Sequence, residues 1–144
     1  MTSNAVRIIQ IDNQLPPLRT RRTNAESERN KVRTTIATLT NARNKLNAIL
    51  NHYFHFSKNY AGLHEPVQTS HFKGSNRRNV ESSLNQIGSH LKHEENHHHE
   101  HLETIKKRIA REENQEMTLT GQINSLNGQI SSLENERRRL VLGY

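Results

Sequence analysis

The sequence predicts an all-α protein, a long antiparallel helical hairpin of coiled-coil type whose second helix is longer than the first. Three observations predict it. Only 31% of the 144 residues are hydrophobic and 4% aromatic, with a mean hydropathy of −0.96. The usual apolar share is about 45–50%, so a compact globular core is excluded, leaving disorder, an elongated helical protein or folding on a partner. Second, apolar residues recur at alternating steps of three and four through most of the second half. Third, a shorter stretch of the first half repeats the pattern, and Gly62, Pro66 and Gly74 punctuate the chain between the two.

Residues 1–23 read as a separate, irregular N-terminal segment, because Pro16 and Pro17 oppose a continuous helix and Leu15 before them is pushed toward extended geometry. A first helix is expected over 24–60. Asn24 suits its N-cap, and Glu26 and Glu28 suit the positive end of its dipole. Val32, Ile36, Leu39, Leu46, Leu50 and Tyr53 then share one face, with Arg43 at the missing seam position. Residues 61–78 read as a connection whose Leu63, Val67 and Phe72 are expected to pack back on the helices.

The second helix is expected over 79–142, within a hairpin spanning 24–144. Its seam runs Leu102, Ile105, Ile109, Glu112, Glu116, Leu119, Ile123, Leu126, Ile130, Leu133, Arg137 and Leu140. Upstream, Val80, Leu84, Ile87, Leu91, Glu95 and His98 extend it, with two successive steps of four after Ile87 that would relax the supercoil. A helix of about 60 residues is roughly 90 Å long, and helix 24–60 covers only about 55 Å of it. The far third then needs a partner or a second copy. Leu119, Ile123, Leu126, Ile130, Leu133 and Leu140 are the expected partner-binding residues.

Charge and chemistry narrow the function. Lys and Arg total 21 against 14 Asp and Glu, giving +7, and protonating all ten histidines would take the chain to +17. No stretch of about 18 apolar residues suggests a membrane span. No secretory signal is expected, since Arg7 and Gln10 interrupt the apolar run of Val6 to Ile11. The absence of Cys excludes disulfides and thiol catalysis. His93-Glu94-Glu95-Asn96-His97 and His97-His98-His99-Glu100-His101 match the two zinc-protease patterns. On an unbroken helix, however, Glu116 lies about 28 Å beyond His97 and cannot share its metal. His90, His93, His97 and His101 line one helix face as weak candidates for an imidazole metal site. The basic runs Arg19/Arg21/Arg22, Arg77/Arg78, Lys106–Arg108 and Arg137–Arg139 alternate with acids and lack stacking aromatics, which argues against nucleic-acid binding. No phosphate loop or nucleophile elbow occurs. The chain reads as a non-enzyme with no cofactor.

Phe72-Lys73-Gly74 sits in the connection just ahead of the long helix. The aromatic would anchor the loop, Gly74 would permit the turn, and Ser75 or Asn76 would cap the second helix. Helix, loop with aromatic-x-Gly, and helix together resemble the WXG superfamily of small type VII secretion proteins. The layout over about 24–142 is similar to the YwqH-like proteins associated with LXG toxins. Leu39, Leu46, Ile49, Tyr60, Leu63, Phe72-Lys73-Gly74 and the Leu/Ile ladder of 119–140 carry this resemblance, with Phe72 where the family typically has Trp. The resemblance implies a bacterial accessory or chaperone-like partner that binds the helical N-terminal domain of an LXG-type toxin, with Phe72 and Gly74 as its turn. It also implies a cytoplasmic location or secretion with the partner, alongside a second small helical protein in some assemblies. Tyr60 is followed by His64 rather than the acid of the family's export signal, so recognition for export would fall to the partner. The alternatives are a self-associating coiled-coil scaffold and a basic nucleic-acid binder.

Overall fold

The computed structural model describes residues 2–63 and 74–143. They form two helices, α1 (Ser3–Ala61) and α2 (Ser75–Leu142), paired as an antiparallel hairpin with the second helix the longer, as the sequence predicts. The chain divides into two compact units, Met1–Ala37 with Ala110–Tyr144, and Thr38–Ile109.

The N-terminal segment departs from expectation. Residues 1–23 are not irregular: α1 starts at Ser3 and runs through Pro16 and Pro17. Thr2 caps it, its Oγ1 accepting the Ala5 N–H at 3.2 Å. Each interior proline removes a backbone hydrogen bond and costs about 3 kcal/mol. What offsets this is burial on either side of the pair. Ile11 is fully buried and Leu15 is buried, both against Ile130, with Leu18, Leu133 and Leu140 packed around them. Each such side chain contributes about 1.5–3 kcal/mol, which matches the proline cost in size.

The heptad explains why this segment continues the helix. Ile8, Ile11, Leu15, Leu18, Arg22, Ala25, Arg29, Val32, Ile36 and Leu39 alternate steps of three and four, and all are buried or half-buried. Pairs between the helices fix the register of this first unit. Arg7 holds Glu136 with two bonds of 2.7 and 2.9 Å. Arg137 holds Asp12 at 2.6 and 3.3 Å. Arg19 meets Glu134 at 2.9 Å, Arg33 meets Glu116 at 2.8 Å, and Arg22 donates to Asn127 at 3.1 Å. The polar seam positions Glu116 and Arg137 are thus answered from within the chain.

Among the described residues of the second unit, Leu46, Leu50, Leu102 and Ile109 are buried. The first three are buried together, with Ile105 beside them. Tyr53 packs its ring on His98 at 5.3 Å. The seam upstream of Leu102 also differs from expectation. Gly88, not Ile87, takes the inward position, facing Tyr60, and Ile87 is left exposed. The steps Leu84, Gly88, Leu91, Glu95, His98 and Leu102 therefore alternate four and three, without the two successive steps of four.

α1 ends in a tightened turn, Leu63 N–H donating to Tyr60 C=O at 3.0 Å. Leu63 is exposed rather than packed back. The expected packing of Val67 and Phe72 lies outside the described residues. α2 begins at Ser75, four residues before the expected start. The turn before it is Gly74 at φ +68°, whose C=O accepts the Arg78 N–H at 3.2 Å. Gly74 itself therefore holds the cap position, not Ser75 or Asn76, and only glycine adopts that φ without strain.

Candidate protein-interaction surface

The expected partner-binding stripe is already in use. Leu119, Ile123, Leu126 and Ile130 are buried, and Leu133 and Leu140 are half-buried, within the unit formed by residues 1–37 and 110–144. The far third of α2 is covered because α1 is 59 residues long rather than 37. These side chains hold the hairpin together and are not presented to a partner.

The histidines spread around α2. The His97 and His101 rings stand 4.3 Å apart, His98 turns to Tyr53, and His99 Nε2 lies 3.8 Å from Glu95 Oε1. His90 and His93 are exposed. Among the described residues no group of three or more His, Asp or Glu side chains converges to hold a metal ion. Of the turn motif, Gly74 performs its expected role and Phe72 lies outside the described residues.

Of the basic runs, Arg19 and Arg137 are engaged with acids across the helix pair, and Arg77 pairs with Glu81 one turn on. Their geometry binds helix to helix or turn to turn. Mutual hydrogen bonding raises Arg7 and Arg137 and holds Glu136 and Asp12 below the ordinary carboxylate range. Arg29 Nε in the same seam has no hydrogen-bond partner.

Large apolar side chains are exposed on both units, among them Val6, Ile9, Met117, Val141 and Leu142 on the first. In the unit of residues 38–109, Ile49, Phe54, Phe56, Leu63 and Ile87 are between 41 and 59% exposed. Two shallow clefts there share Ile49. One is lined by Ala42, Lys45, Leu46, His101, Thr104 and Ile105, the other by His52, Tyr53, Phe56 and Leu91. The signal for this surface is in the sequence, since Ala42, Ile49 and Phe56 repeat at steps of seven outside the seam. It is hidden there because a reading for the main seam absorbs each helix into one stripe.

No described helix is long and apolar enough to cross a membrane. Comparison of the chain with protein-family models, with curated proteins and with solved structures finds no match.

Proposed function

We propose that the chain is a non-enzymatic helical binding module, an accessory or targeting partner of the helical N-terminal domain of an LXG-type toxin in type VII secretion. The observation that supports this reading is an imbalance. The hairpin buries its own seam, yet leaves large apolar side chains such as Ile49 and Phe56 open at two clefts of the second unit. Soluble proteins seldom cluster such residues on a surface without a partner for them. The Gly74 turn ahead of α2 fits the same reading through the aromatic-x-Gly resemblance. The partner would be met in the cytoplasm and accompanied to the secretion apparatus.

The test is co-purification. The N-terminally tagged chain is recovered gently from its own host, and its companions are identified by mass spectrometry. Recovery of a large secreted protein with a helical N-terminal domain is the expected result. Recovery of the bait alone as a stable homo-oligomer would replace this reading with that of a scaffold. Recovery of nucleic acid, lost steeply with salt, would replace it with that of a basic nucleic-acid binder.

A further inference from the structure

We infer that the flank of α1 between Ala42 and Leu63 seats a third helix, one whose own apolar stripe is bordered by carboxylates. This deepens the binding-module reading and rests on it, by giving the partner's seat and chemistry.

Periodicity marks the seat. Ala42, Ile49 and Phe56 follow one another at seven residues, and Leu63 continues the register just past the helix end. Seven residues span about 10.5 Å of helix, or two turns. An apolar stripe at that spacing beside an occupied seam is the pattern of a helix that packs against two others at once. Leu91 and Ile105 of α2 share the clefts with Ile49, so a helix lying there would contact both members of the hairpin. The same register upstream in α1 carries Gln14, Arg21, Glu28 and Thr35. The second stripe is therefore confined to residues 38–109.

Charge selects the occupant. From Thr38 to Leu63 the chain carries Arg43, Lys45 and Lys58, together with His52 and His55, and no carboxylate at all. Lys45 and His52 line the clefts themselves, with His101 from α2 opposite. A helix bordered by Glu or Asp meets a favourable field along this stretch of α1. A second copy seating its own α1 flank there would set cation against cation, so a partner of opposite sign is the occupant that fits.

The experiment uses the full-length chain and a labelled 21-residue peptide with Leu at its a and d positions and Glu at the flanking e and g positions. A sister peptide carries Lys in place of Glu. Fluorescence anisotropy at low salt is expected to show saturable binding of the Glu peptide at least ten-fold tighter than of the Lys peptide. Ile49→Asp with Phe56→Asp should weaken it at least ten-fold. Both residues are exposed, so circular dichroism should show the variant's helix content and melting unchanged. Absence of saturable binding, equal binding of both peptides, or full binding by the double variant would overturn the proposal. So would a homodimer in sedimentation that the double variant dissolves, since a second copy would then own the stripe. Binding of the Glu peptide without a toxin in the co-purification would sink the secretion role and leave the seat intact. A toxin held equally well by the double variant would do the reverse.

Discussion

The Tyr60 ring lies so close to Gly88 that a β-carbon on the glycine would stand 2.9 Å from the tyrosine hydroxyl and 3.1 Å from Cε1. Gly88 therefore occupies a seam position because of what it lacks. Glycine in a helix interior costs about 1 kcal/mol relative to alanine, and here the cost permits an aromatic ring to reach the facing backbone. Gly121 and Gly128 sit in the same helix with nothing within 4 Å of where a Cβ would be.

Those three glycines should respond differently to one substitution. Gly121→Ala and Gly128→Ala should each stabilise by about 0.5–1 kcal/mol, raising Tm by a few degrees in thermal melts tracked by circular dichroism. Gly88→Ala should gain nothing or lose stability, because Tyr60 must move. Pairing it with Tyr60→Ala should restore the helix-propensity gain to the alanine. An equal rise for all three single variants would show that the Tyr60 contact carries no weight.

Residues 2–23 should be indispensable to a monomeric hairpin. Ile11, Leu15 and Leu18 cover Ile130, Leu133 and Leu140, so deleting the segment exposes a two-in-seven apolar stripe on α2. The truncated chain should melt lower and associate with rising concentration in sedimentation velocity, whereas the full chain's seam is internally covered. Within the full chain, Ile130→Ala should cost about 2–5 kcal/mol, the range for a buried aliphatic residue reduced to alanine. A truncated chain that stays monomeric with an unchanged melt would contradict the packing described.

Fold class is legible in the sequence because low hydrophobicity and a heptad over dozens of residues leave few alternatives to paired helices. The length of α1 is not, and the reason is local. Pro16 and Pro17 are a strong signal against a helix, while Ile8, Ile11, Leu15 and Leu18 are a weaker one for it, and tertiary burial reverses that order. The interaction surface is misplaced for the same reason. Ile130, Leu133 and Leu140 look partnerless only if α1 begins at residue 24. Ile87 shows a second limit. Hydrophobicity favours it for the seam, but close approach of Tyr60 selects Gly88, and no single-helix pattern contains that information.

Acid should weaken the 1–37/110–144 unit through Asp12 and Glu136. Hydrogen bonds from Arg137 and Arg7 lower both carboxyls from their ordinary values of 3.8 and 4.5. A carboxyl lowered on folding adds stability that is complete above its unfolded value and lost as pH falls through the folded one. Its guanidinium partners are raised and stay charged throughout this range. Asp12→Asn with Glu136→Gln should therefore lower Tm slightly at pH 7, as expected for exposed pairs. The gap to the unmodified chain should close between about pH 5 and pH 2. Melts at half-unit pH steps read the gap directly, and one independent of pH would remove these carboxylates from the account.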